Sequence, residues 1–207
     1  DAQESRGLGD VYKRQINTIT NQKVGQVVTI KGQVVDVTSS SSGFTFWVDD
    51  DSGRIDLFLF SSVYGHVAGR SGLRLGAQVL ASGEVKEYQG RLEVVPSLGE
   101  QVTVVSAGTG AVAPRTVGSL SGQDKDQFFA FQVTIVGVTP LSGGTKFRVR
   151  DETGDIDLVI WDSVKAYVPN SARLVEGARL AVIAKVSLYR GTPQLVPQLG
   201  YDVRIVE

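Results

Sequence analysis

Three aromatic residues, Trp47, Phe58 and Phe60, alternate with apolar neighbours on two short stretches, between Phe46 and Val48 and around Leu59. Rings presented in this way on one face could stack against flat ligands, unpaired bases above all, and each such stack is worth about 1–3 kcal/mol. At the corresponding positions in the second half, Lys146, Arg148 and Arg150 alternate on one stretch and Val159 and Trp161 on the next. Three cations and a tryptophan suit a phosphate backbone with one stacked base. A third set places basic residues beside tyrosines near a glycine turn: Lys86, Tyr88 and Arg91, then Lys185, Tyr189 and Arg190.

Other chemistries have few residues to use. The chain has one histidine, His66, and no cysteine, so it offers no thiolate site, no disulfide and no histidine cluster. Asp49-Asp50-Asp51-Ser52-Gly53 is acidic, but it lacks the spacing and the final bidentate Glu of an EF-hand loop and reads as a tight turn. No phosphate loop, nucleophile motif or pair of catalytic carboxylates is recognisable. The expectation is a binding protein without catalytic activity, cofactor or metal. A net charge of −1 and a pI near 5.9 offer no bulk attraction to polyanions or acidic membranes. No apolar run is long enough to span a bilayer.

The elements that carry these residues come as a repeat. Phe46-Trp47-Val48-Asp49-Asp50-Asp51-Ser52-Gly53-Arg54-Ile55-Asp56-Leu57 returns, at an offset of 101 residues, as Phe147-Arg148-Val149-Arg150-Asp151-Glu152-Thr153-Gly154-Asp155-Ile156-Asp157-Leu158. Tyr88-Gln89-Gly90 returns as Tyr189-Arg190-Gly191, and Val95-Pro96-Ser97-Leu98-Gly99 as Val196-Pro197-Gln198-Leu199-Gly200. Within each copy, Val24–Val37 predicts a long strand with a bend or bulge at Gly32. Phe44, Phe46 and Val48, then Ile55, Leu57 and Leu59, have the period of two of half-buried strands. They are joined at Asp50–Gly53, where a glycine accepts positive φ. A short helix or irregular link follows over Ser61–Leu75. Ala77–Glu87 and Arg91–Val95 form a second hairpin, and Val102, Val104 and Val105 close the copy. The expected division is residues 16–105, a linker at 106–116 and residues 117–207. Ser5–Gln15 reads as a translated sequencing adapter of the kind found in metagenomic gene sets. Residues 1–15 are therefore set aside as non-native, and the chain, which has no methionine, is expected to be a fragment of a longer protein.

This order resembles the OB-fold of the tRNA-anticodon/helicase type. Its recurrent signature, Phe-x-Val-x-Asp, a Ser/Thr-Gly turn, then x-Ile, is met by Phe46-x-Val48-x-Asp50 with Ser52-Gly53-x-Ile55, and by Phe147-x-Val149-x-Asp151 with Thr153-Gly154-x-Ile156. The resemblance implies an all-β chain of two tandem five-stranded Greek-key barrels, each with a short helix or link between strands three and four. It also implies that ligands meet the outer face of strands two and three and the strand 4–5 hairpin. Single-stranded DNA or RNA is then the expected partner, through Trp47, Phe58, Phe60, Lys86, Tyr88, Arg91, Lys146, Arg148, Trp161, Lys185, Tyr189 and Arg190.

Alternatives stand beside each element of that site. The three aromatics of the first copy could form an open stacking platform or be covered by other parts of the chain, since large exposed apolar patches are uncommon. In the second copy, a turn at Asp151–Gly154 sets Arg150 opposite Asp155 and Arg148 opposite Asp157, so the basic stripe reads as more neutralised than free, with Lys146 escaping. Tyr88 and Tyr189 could close over a ligand or rest on the neighbouring strand at a turn. The neutral charge and the valine-, serine- and glycine-rich texture also suit a structural or protein-interaction pair from a larger exported or surface protein, and the aromatic face could take a carbohydrate or other small ligand.

Overall fold

The structure, a computed structural model, describes residues 14–206. The adapter-like stretch lies outside the described residues except for its last two. The chain forms two compact units, with the main division between Thr109 and Gly110.

In the first unit, β1 (Val27–Ser39), β2 (Gly43–Asp49) and β3 (Arg54–Phe60) are followed by a one-turn helix α1 (Ser61–Tyr64). Then come β4 (Gln78–Tyr88), β5 (Arg91–Val95) and β6 (Val102–Ser106). The sheet runs β1-β2-β3-β5-β4-β6, and β1 also pairs with β4. Five strands thus close a ring, with β5 parallel to β3 and antiparallel to β4. The sixth lies outside that ring along β4. The second unit repeats the plan with β7 (Phe128–Leu141), β8 (Gly144–Asp151), β9 (Gly154–Trp161), helix α2 (Asp162–Lys165), β10 (Arg179–Tyr189), β11 (Thr192–Val196) and β12 (Val203–Val206). These are OB barrels.

Alternation decides which side chains fill them. Phe44, Phe46, Val48, Ile55, Leu57 and Leu59 are buried, as are Phe147, Val149, Ile156, Leu158 and Ile160. Each such side chain contributes about 1.5–3 kcal/mol relative to exposure. Tyr64, on α1, stoppers the first barrel with its ring centroid 4.3 Å from that of Phe44. The repeated Val-Pro-x-Leu-Gly segment has a packing reason. A Cβ on Gly99 would fall 2.5 Å from the carbonyl carbon of His66, and one on Gly200 would collide with the carbonyl carbon of Tyr167. The chain after β5 or β11 therefore passes directly over the turn that follows the short helix.

The signature turn of the first unit works differently from expectation, whereas Gly154 in the second has a positive φ of 157°. The left-handed residue between β2 and β3 is Asp51 (φ 68°), and Gly53 is not among the positive-φ residues. The turn aspartate instead fastens the segment that precedes the first strand. Ile16 N–H donates to Asp50 Oδ2 at 2.9 Å, and Val117 N–H donates to Asp151 Oδ2 at 2.8 Å. Asp50 Oδ1 also accepts from Ser52 N, Ser52 Oγ and Gly53 N, while Asp151 Oδ1 accepts from Thr153 N and Oγ1. Ser52 Oγ and Thr153 Oγ1 then accept from Asn17 N and Gly118 N. The clasped segments, Ile16–Thr18 and Val117–Ser119, are single 3₁₀ turns whose first residues are buried. Burial alone would raise both carboxyls; the hydrogen bonds, Ser52 and Thr153 foremost, outweigh it and hold Asp50 and Asp151 below the ordinary carboxylate range. The repeat therefore reaches upstream of the strands.

Candidate nucleic-acid interface

Strand register assembles the outer face of the first unit. Trp47 pairs with Asp56 across β2–β3, Asp56 with Glu93 across β3–β5, and Glu93 with Lys86 across β5–β4. Directly paired residues share a face, so Trp47, Asp56, Glu93 and Lys86 form one row across four strands, opposite the buried Val48, Ile55, Leu57, Val94 and Val85. Arg91 leans onto this row. Its guanidinium is 3.2 Å from Asp56 Oδ2 and 5.9 Å from the Trp47 ring centroid. The Trp47 indole N–H donates to the Asp56 carboxylate. Burial pushes the Asp56 carboxyl above its ordinary value, beyond what Arg91 and Trp47 recover. Glu93 is also raised, by burial and then by the Asp56 charge, against the pull of Lys86 and Arg91.

The aromatics of this face fall between the two expected states. Trp47 and Phe58 are half-buried, and Phe60, 45% exposed, meets Phe58 edge-on at 4.9 Å. In the second unit, Trp161 occupies the position equivalent to Phe60 and is 40% exposed. Val159, expected to face outward, is buried.

The cationic stripe of β8 is paired throughout. Arg150 grips Asp155 through Nε at 2.6 Å and Nη2 at 3.0 Å, and Arg148 Nη1 donates to Asp157 at 3.1 Å. The predicted register, Arg148 opposite Asp157 and Arg150 opposite Asp155, is the observed one. Lys146 does not escape, however; its Nζ lies 3.6 Å from Asp157 Oδ2. Lys146 is directly opposite Val159, and its long side chain reaches the diagonal carboxylate instead. In the first unit, Arg54 pairs with Asp49 at 3.7 Å.

The hairpin tips are two-residue turns with both central residues at positive φ: Gln89 and Gly90, then Arg190 and Gly191. This is the geometry that matches strand twist. Tyr88 and Tyr189 flank these turns at 59% and 60% exposure, so neither ring rests covered on a neighbouring strand. Arg190 lies over the Tyr189 ring at 5.3 Å. Lys185, by contrast, is not at the tip. It pairs with Phe128 on β7, with its ammonium 4.8 Å from that ring, because the equivalent of Lys86 at an offset of 101 is Ser187. Lys86 turns to Glu84 at 3.8 Å. The structure therefore joins Trp47, Phe58, Phe60, Lys86 and Arg91 on one face and leaves Tyr88, Tyr189 and Arg190 at the tips. Lys146, Arg148 and Trp161 share the equivalent face of the second unit.

Sequence reasoning missed Asp56 and Glu93 as members of the face. Alternation already turned Asp56 outward, but Glu93 joins only through the parallel β3–β5 pairing, for which no local pattern exists. Among the described residues no cluster of metal-ligating side chains occurs, and no helix is long and apolar enough to cross a membrane.

Comparison with known proteins gives one family match, twice. The OB-fold nucleic acid binding domain of the tRNA anti-codon type matches residues 28–97 and again 131–198. Among solved structures, the chain is similar to the p204 HINb domain at 15% identity, covering 85% of this chain and 95% of that one with a TM-score of 0.39. A murine DNA binding protein bound with double-stranded DNA is similar at 12% identity, covering 86% and 97% with a TM-score of 0.37. Asparaginyl-tRNA synthetase from Pyrococcus horikoshii is similar at 19% identity, covering 55% and 26% with a TM-score of 0.42. No curated protein sequence matches.

Proposed function

The chain belongs to the family of OB-fold nucleic acid binding domains, and from that premise we propose that it is a non-catalytic binder of single-stranded nucleic acid. Strands would lie across the outer face of β2–β3 and of β8–β9, bordered by the β4–β5 and β10–β11 hairpins. One observation carries this reading. Although the two copies differ over most of their surface, two solvent-exposed positions are aromatic in both: Phe60 with Trp161, and Tyr88 with Tyr189. A barrel does not require an exposed ring, whereas stacking on unpaired bases does. Duplex DNA keeps its base faces stacked within the helix, so rings of this kind favour single strands.

Fluorescence anisotropy with labelled single-stranded DNA and RNA over a salt series tests the proposal. Trp161→Ala should weaken binding by about 1–3 kcal/mol, the value of one stack. Binding no tighter than millimolar at low salt would overturn it. The tied-up cations of β8 favour a second reading, a protein-interaction pair within a longer chain, which such a failure would leave standing.

A further inference from the structure

Resting on the reading above, we infer that the first unit selects bases by their edges: Glu93 accepts hydrogen bonds from the Watson–Crick edge of a guanine stacked beside Trp47. The argument begins with charge. A phosphate laid over Asp56 and Glu93 would meet two carboxylates on adjacent strands, while the cations beside them, Arg91 and Lys86, are already paired with Asp56 and Glu84. That stretch of the face suits the uncharged part of the polymer, which is the base.

The partners already made then single out one acceptor. Asp56 is committed, accepting from the Trp47 indole and pairing with Arg91. Lys86, opposite Glu93 in the ladder, is turned to Glu84 instead. Among the described residues the Glu93 side chain makes no hydrogen bond and no close ion pair, although Lys86 and Arg91 attract it, and it is half-buried at the centre of the row. Its oxygens are open to solvent, so a ligand N–H group can reach them directly.

Base chemistry decides which edge fits. Guanine presents N1–H and N2–H side by side, two donors at the spacing of the two oxygens of one carboxylate. Cytosine and adenine each offer one exocyclic amino donor beside an acceptor. Thymine and uracil offer N3–H flanked by two carbonyls, which a carboxylate repels. The second unit lacks the device, since its row is Arg148, Asp157, Gln194 and Ser187. Base selection therefore belongs to the first unit. Glu93→Gln installs the residue that the second barrel carries at the same place.

The experiment uses the full chain and labelled oligothymidylates of about ten nucleotides, a span suited to one barrel: all-thymine, or with one central guanine, or with hypoxanthine, which lacks N2–H. The native chain should bind the guanine oligomer on the order of 10-fold more tightly than the all-thymine one, the scale of one bidentate base contact, with hypoxanthine between. In E93Q the guanine-to-thymine ratio should fall to about one. A native chain without guanine preference, or an E93Q variant that retains it, overturns the inference. If the oligomers bind but bind alike, base selection fails and single-strand binding survives. If none binds, both fail together.

Discussion

At the scale of residues, the family signature and the proposed ligand face are separate things. Asp50 and Asp151, the most recognisable acids in the sequence, fasten a 3₁₀ turn to the β2–β3 and β8–β9 hairpins. Asp50→Ala or Asp151→Ala should therefore cost about 1–3 kcal/mol of stability, the value of losing charge-assisted hydrogen bonds. Urea unfolding measures that cost, and hydrogen exchange at the amides of Ile16 and Val117 locates it. The folded carboxyls lie below the ordinary 3.8, so the contribution is full above that pH and is lost as pH falls through the folded values. The gap between native chain and D50A should accordingly close in acid. Glu93 has the opposite sign. Its carboxyl is raised in the fold, so it becomes destabilising as pH rises through its folded value. Glu93→Gln should raise the melting temperature at neutral pH by a few degrees at most, given that about 1 kcal/mol moves a domain of this size by about 4–8 °C. That gain should vanish in acid. Turn chemistry made the Asp50 bend legible in the sequence, but its partner lies 34 residues away and left no local trace. Glu93 was hidden for the same reason.

At the scale of elements, what local periodicity governs was readable and what register governs was not. The alternation of Phe46, Val48, Ile55 and Leu57 identified the inward face in both copies, and antiparallel pairing across a tight turn set Arg148 opposite Asp157. The long first strand begins at Val27 rather than Val24, after a 3₁₀ turn at Asn21–Lys23 that alternation does not mark. Lys185 was misplaced because a lysine near a tyrosine looks the same whether it is at a hairpin tip or four residues inside a strand. Lys146 was misjudged because diagonal contacts depend on side-chain length, which a paired-position argument ignores. The segment after β5 and β11 supplies the test at this scale. Gly99→Ala and Gly200→Ala should each destabilise by about 1–3 kcal/mol, the cost of forcing a methyl into a filled space. A lowered urea midpoint with unchanged slope is the expected result.

At the scale of the whole molecule, two barrels of one plan present unlike surfaces, and the cations of β8 are paired with the carboxylates of β9. With a net charge of −1 and the β8 stripe paired to Asp155 and Asp157, affinity should depend on stacking and only shallowly on salt. Exposed pairs of this kind contribute little to stability, so removing their carboxylates is tolerable. Asp155→Asn with Asp157→Asn should keep the fold, tighten binding to any single strand at low salt, and steepen the slope of log K against log salt by about 0.7 for each phosphate newly engaged. An unchanged slope would mean that β8 does not face the backbone.

The clasp at Asp50 also has a consequence in time. Its two ends enter the world in sequence, the 3₁₀ turn first and the hairpin that holds it 34 residues later, which at about 5–20 residues per second leaves the turn waiting on the order of seconds on the ribosome. Ordering that segment earns no anchor until β2 and β3 have met, so it closes late. It should open first by the same route, and limited proteolysis of the native protein should cut near Ile16 and Val117 before any strand is touched.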